Sequence, residues 1–306
     1  MKKIISILAL VIVGTFVSYG QQIPQYTQYS LNEFVINPAV AGTQDYYNAR
    51  IINRYQWLGV IDAPRTYILS LYGPHKKLPM GFGGYIFSDI TGPTRRSGLE
   101  LSYAYNLKIV NDIRLSFGVS GGFLQYKIDA TKITFKDESD IIKNNMYVDY
   151  MPDASAGIYL YADKYYFGVS SSQLLNNKIV FYDVESNTLR RLANHIFVYG
   201  GYKYDINDKF NLEPSVLLKK VSPAPLQFEI NAKVTYSKMV WLSIGYRTAN
   251  GPNLTLGYNM QDQLYFGYSY DFPMSNIGKV STGTHEFMIG ARFNKYRVAK
   301  ADKLLE

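Results

Sequence analysis

From residue 46 to residue 294 the chain alternates apolar positions with small or polar ones. In "LELSYAYNL", Leu99, Leu101, Tyr103, Tyr105 and Leu107 share one face, while Glu100, Ser102, Ala104 and Asn106 share the other. Leu115, Phe117 and Val119 likewise oppose Ser116, Gly118 and Ser120, and Leu242, Ile244 and Tyr246 oppose Ser243, Gly245 and Arg247. The pattern recurs in "LTLGYNM", in "LYFGYSYD" and in "HEFMIGARF", where Glu286 and Arg292 fall on the polar face. A period of two residues is the signature of β-strands with one apolar face. About fourteen such strands can be counted, the first near 46–57 and the last near 283–294.

A soluble sandwich also alternates, so the choice between sandwich and barrel needs other signals. Most segments match or exceed the roughly 9–11 residues that a tilted strand needs to cross a bilayer. Their polar faces carry Gly, Ser and Asn with few charges, which suits a narrow or filled lumen. Connections after alternate strands are short, such as Asp163-Lys164, whereas the longest fall at 128–152, 174–193 and 272–282. Short turns at one end and long loops at the other are the topology of outer-membrane barrels. The expected fold is therefore an all-β transmembrane outer-membrane β-barrel of about 14 antiparallel strands, with both termini in the periplasm. Tyr159, Tyr161, Tyr165 and Tyr166 flank one short turn and read as part of an aromatic girdle. Gly81, Gly83 and Gly84 read as points where a barrel wall bends.

The ends of the chain depart from this pattern. Residues 1–20 combine Lys2 and Lys3 with an apolar run from Ile4 to Val13 and small residues before Gln21, and so read as a signal peptide. Residues 21–45 form an N-terminal periplasmic or plug segment, 46–294 the barrel, and 295–306 a charged periplasmic tail. The formal net charge is +8, or +6 without Lys2 and Lys3, and it is spread along the chain. That distribution, in an exported chain holding 29 Tyr, is a poor match for nucleic-acid binding. There is no cysteine, which excludes disulfides, thiolate chemistry and a lipoprotein anchor.

Candidate chemistry is sparse. His75, His195 and His285 are isolated in sequence and form no zinc motif. "GFGGYIF" has Ile86 where a dinucleotide fingerprint needs its third glycine, and no nucleophile elbow occurs. Asp62, Asp89, Asp137, Glu138, Asp140 and Asp153 lie in or beside expected outer loops and read as solvated charge. No enzyme class, cofactor, metal or catalytic residue is expected. The informative segment is instead "NEFVINPAVAGTQDYYNARIINRYQW". Pro38 biases Asn37 away from helix, and the small residues up to Gly42 let backbones pack closely. Arg54 reads as a lumen or girdle charge and Trp57 as an interface anchor closing the first strand.

"PQYTQYSLNEFVINPAVAG", then "RYQW" and "APRTYILSLYGP", resembles the N-terminal hallmark of the PorP/SprF family of Bacteroidetes. "GYSYDFPMSNIGKVSTGTHEFMIG" is similar to that family's C-terminal block, which places Tyr270, Asp271, His285 and Glu286 with Asn37, Pro38, Gly42, Arg54 and Trp57 as candidates for folding or partner contact. The resemblance implies an outer-membrane barrel of the type IX secretion system and, in gliding bacteria, of the motility machinery. The partners it implies are the secretion ring lipoprotein or a large surface adhesin with a C-terminal sorting domain, together with outer-membrane lipid. The candidate partner surfaces are 128–152 and 174–193 outside, and 21–45 and 295–306 in the periplasm. The competing reading is a porin or hydrophobic-solute transporter with an open lumen.

Overall fold

The computed structural model describes residues 23, 25–134, 145–179, 191–248, 250–274 and 276–294. The expected signal peptide and the tail 295–306 lie outside these residues. Fifteen strand segments form fourteen antiparallel staves. They are β1 (Tyr47–Tyr55), β2 (Arg65–Pro74), β3 (Met80–Thr91), β4 (Thr94–Val110), β5 (Ile113–Asp129), β6 (Met146–Tyr161), β7 (Tyr165–Ser172) and β8 (His195–Tyr202). The series continues with β9 (Tyr204–Asp205), β10 (Phe210–Val221), β11 (Gln227–Tyr236), β12 (Val240–Arg247), β13 (Gly251–Met260), β14 (Leu264–Asp271) and β15 (Thr284–Phe293). The two-residue β9 prolongs β8 against the same neighbour, β10, after Lys203. The last strand pairs with the first, from Tyr47 opposite Phe293 to Tyr55 opposite His285, so the sheet closes without an edge. Closure leaves every stave hydrogen-bonded on both sides, which a spanning sheet needs in lipid.

The alternation sorts as the sequence implies. Leu99, Leu101, Phe117, Val119, Leu242 and Ile244 are exposed on the outer face, while Glu100, Ser102, Asn106 and Ser116 are buried inside. Turns after β2, β4, β6, β9, β11 and β13 lie at one end, called here the short-turn end. The connections 56–64, 130–145, 173–194 and 272–283 lie at the other, the long-connection end. Two strand bounds differ from expectation. β6 starts at Met146 rather than near 153, because Met146–Asp153 continues the ladder with Gly122–Asp129. β1 stops at Tyr55, and Trp57 (φ 52°) stands in the following turn, with its N–H donating to Thr284 Oγ1 at 3.1 Å.

The lumen is where the sequence reading needs most correction. Residues 25–45 run inside the barrel as three short 3-10 turns, Tyr29–Leu31, Glu33–Val35 and Pro38–Val40. Phe34, Ala39, Ala41 and Asn37 are at most 1% exposed. Tyr159, Tyr166 and Tyr199 point inward and form one cluster with Tyr29, Phe34, Ile36, Ala39 and Val40. Tyr159 and Tyr166 are thus the packing bed of the lead-in segment and not a lipid-facing girdle. The expectation of few inward charges also fails: Arg54, Arg247, Lys219, Glu229 and Glu286 are all buried inside. They are tolerated because the lead-in and one another supply their partners.

Candidate functional site

The site is the contact between the lead-in segment and the inner wall. A chain in 3-10 turns leaves most of its backbone polar groups without partners of its own, and in a lumen without bulk water the wall must supply them. Inner-face polar residues do so along the length of the segment. Lys219 Nζ donates to the Ile23 carbonyl at 2.9 Å, and Arg247 Nη2 to the Tyr26 carbonyl at 3.3 Å. Ser170 Oγ donates to the Ile36 carbonyl and Ser116 Oγ to the Ala39 carbonyl, each at 2.6 Å. Asn106 Nδ2 reaches the Ala41 carbonyl at 3.3 Å. The Gly/Ser/Asn inner face expected of a lumen is therefore a set of hydrogen-bond partners for a second piece of backbone.

Toward the long-connection end the segment is held by charge. Arg54 on β1 stands between two carboxylates, with Nη1 2.8 Å from Glu286 Oε2 and Nη2 2.7 Å from Asp271 Oδ2. Glu286 is the register partner of Arg54 across the closing seam, and its two oxygens accept the N–H groups of Thr27 and Gln28 at 2.9 and 2.8 Å. Thr27 Oγ1 donates to Asp271 Oδ1 at 2.7 Å. Arg247 extends the network, donating to Glu229 Oε2 at 2.7 Å, while Gln25 Nε2 reaches that same oxygen at 3.2 Å. Two guanidinium groups and three carboxylates thus clamp residues 25–28. Charge-assisted bonds of this kind are the strong ones, and burial makes each partner hard to remove.

Toward the short-turn end the segment is held by fit. Asn37 caps its own turn, its Oδ1 accepting the Ala39 N–H at 2.9 Å, while Nδ2 donates to the Ile158 carbonyl at 3.1 Å. Pro38 opens that turn, where its missing N–H costs nothing. A Cβ on wall residue Gly118 would collide with the backbone of Pro38 and Ala39, and one on Gly157 with the Asn37 side chain. Gly81 lies directly against Ala41 and Gly42, so its role is close backbone approach and not the bending expected from the sequence. Gly42 adopts φ 73°, which only glycine takes readily, and there the chain turns toward β1. Phe34 stacks on Tyr72 with ring centroids 4.5 Å apart.

Of the nine residues singled out from the sequence, the structure brings Arg54, Asp271 and Glu286 into one clamp and sets Asn37, Pro38 and Gly42 in the fitted half. Tyr270 and His285 alternate with the clamp residues and face outward, where their rings meet edge to face at 5.2 Å. Trp57 takes part in neither half. Thr27, Gln28, Glu229, Arg247 and Gly118 were missed. Inner-face parity marks Glu229, Arg247 and Gly118, but nothing local says that a chain segment stands against them.

The lead-in runs through the barrel from the long-connection end to the short-turn end. The Ile23 N–H donates to His195 Nε2 at 3.3 Å, at the start of β8 and therefore at the long-connection end. Asn294 follows β15 at the short-turn end, so the first and last described residues lie at opposite ends of the barrel. A cavity of about 430 Å³ opens at the short-turn mouth, with a second of about 230 Å³ beside it. Thr43, Gln44, Tyr159, Tyr166 and Lys203 line both. Between these and the long-connection end the lead-in occupies the bore.

Residues 18–291 match the family described as "Type IX secretion system membrane protein PorP/SprF". The chain belongs to the PorP/SprF family. No curated protein matches the chain. Among solved structures, a Pseudomonas aeruginosa FadL homologue is 12% identical over 90% of this chain and 96% of its own, with a TM-score of 0.46. The CymD monoaromatic hydrocarbon channel is 11% identical over 91% and 95% respectively, with a TM-score of 0.49. The P. putida toluene transporter TodX is 8% identical over 87% and 94%, with a TM-score of 0.48. Family and the closed antiparallel barrel together make this PorP/SprF chain a type IX secretion barrel of the outer membrane.

Proposed function

We propose that this PorP/SprF protein is a closed, non-enzymatic barrel that binds a protein of the secretion or gliding machinery and supports export and surface attachment of a cargo adhesin. The observation that supports this most is the lumen, filled by the chain's own residues 25–42 through buried charge and backbone contacts. A solute pathway needs a passage, whereas a binding platform needs a rigid wall. The partner is a secretion ring lipoprotein or a large adhesin with a C-terminal sorting domain. With the long connections outside, parts of 130–145 and 173–194 offer the adhesin surface, and the short-turn mouth with the tail 295–306 offers the periplasmic one. Residues 25–42 are withdrawn from that list because they are buried in the barrel.

The experiment is affinity purification of the full chain from detergent-solubilised membranes, paired with deletion of its gene. Co-purification of an adhesin C-terminal domain or of the ring lipoprotein is expected, together with loss of at least one cargo protein from the cell surface. A barrel that purifies alone, from cells whose deletion strain displays every cargo normally, would overturn the reading.

A further inference from the structure

The outer wall carries a feature that a barrel needing only to sit in lipid does not require. On β4 the outward positions from Leu99 to Ile109 are apolar throughout, about the 9–11 residues of a bilayer crossing. The next outward positions toward the long-connection end are Ser97 and then Arg95, so these stand where the hydrocarbon gives way to headgroups. The register sets Arg95 opposite Lys127 on β5 and Ile90 on β3, with Arg65 of β2 beyond Ile90. None of these three cations forms an ion pair among the described residues. The outward carboxylate nearest in sequence, Asp129, is engaged by Thr131 and Lys132.

Beside this cationic row the wall is notched. A groove of about 600 Å³ runs over β1 to β6, floored by Ile51, Leu69, Ile86 and Phe123. Its upper part is polar and pre-organised. Arg95 Nε donates to Ser88 Oγ at 3.1 Å and to Ser97 Oγ at 3.3 Å, and Gln125 Nε2 donates to Tyr150 OH at 2.6 Å. Those serines hold the inner edge of the guanidinium and leave its two terminal nitrogens for a ligand. Cation, then hydroxyl and amide, then apolar floor is the complement, in order, of the phosphate, polar headgroup and acyl chain of a phosphorylated amphiphile.

We propose that this groove binds a membrane lipid whose headgroup carries a phosphomonoester, and so a net negative charge, in the leaflet at the long-connection end. The phosphate sits on Arg95 and Lys127, the polar headgroup on Ser88, Ser97 and Gln125, and one acyl chain on the floor of Ile51, Leu69, Ile86 and Phe123. Arginine suits the role because its planar fork pairs with phosphate oxygens in two places at once. Charge at this height costs the barrel little, since the penalty for a lipid-facing Arg or Lys falls steeply from the bilayer midplane to the interface. The inference rests on the barrel reading but not on the closed lumen or on any protein partner.

The test is native mass spectrometry of the full-length protein in detergent, titrated with lipid A, with dephosphorylated lipid A and with phosphatidylcholine. Wild type is expected to retain lipid A at least about ten-fold better than the other two. Arg95→Ala/Lys127→Ala is expected to lose that preference, and Arg95→Lys to keep most of it. Heat-modifiable migration confirms that each variant is folded, and a groove-filling Ser97→Trp with both cations intact gives a second variant expected to lose retention. Equal retention of phosphorylated and dephosphorylated lipid A by wild type, or undiminished retention by Arg95→Ala/Lys127→Ala, would overturn the proposal.

Discussion

Arg54→Met is expected to lower the stability of the packed barrel by about 3–5 kcal/mol, the usual cost of removing one partner from a buried ion pair. The size follows from what remains behind. Asp271 and Glu286 would keep their positions on β14 and β15 with their shared cation gone, each in a nearly dry wall. Glu286 also holds the Thr27 and Gln28 amides, so an unbalanced carboxylate there would loosen residues 25–28 directly. Cleavage of the lead-in by added protease and a lower temperature for heat-modifiable migration are the two readouts. Neutralising both acids as well, in Arg54→Met/Asp271→Asn/Glu286→Gln, should recover part of the loss, because no uncompensated charge then remains. If Arg54→Met migrates and resists protease like wild type, the clamp is not what holds the segment.

Gly118→Leu should have the second large effect and a different character. The new side chain would occupy the space taken by the Pro38–Ala39 backbone, so the lead-in must leave while the wall can stay closed. Overpacking at well-fitted contacts costs roughly 1–3 kcal/mol. The expected result is a folded, heat-modifiable barrel that is protease-sensitive before residue 45 and conducts ions in planar bilayers. Gly121→Leu on the same strand is the control, since nothing lies within 4 Å of a Cβ there. It should behave as wild type. Equal behaviour of the two variants would mean that Gly118 does not mark a packed contact.

Sequence was sufficient for the faces of the barrel wall and insufficient for what the wall holds. Alternation assigned Leu99 to lipid and Glu100 to the lumen from two adjacent letters, because a strand's period is local. The same parity put Arg54, Asp271 and Glu286 on the inner face, though only the closed seam between β15 and β1 brings them together. What parity cannot give is the object facing a residue. Gly81 reads as a bend and Tyr159 as a girdle when the lumen is imagined empty. Both are explained by a segment packed against them from far away in sequence, as are the contacts of Thr27 with Glu286, 259 positions on. The irregularity of "NEFVINPAVAG" was the legible sign that something individual occurs there. Its Asn-Pro step and small residues are what a chain needs to turn inside a crowded bore.

The most direct test of the closed lumen is single-channel recording of the purified wild-type protein in planar bilayers. The account predicts silent insertions for wild type, with steady conductance appearing when residues 25–42 are removed or displaced as in Gly118→Leu. A stable open channel in the wild-type protein, with its N-terminal segment intact, would contradict it.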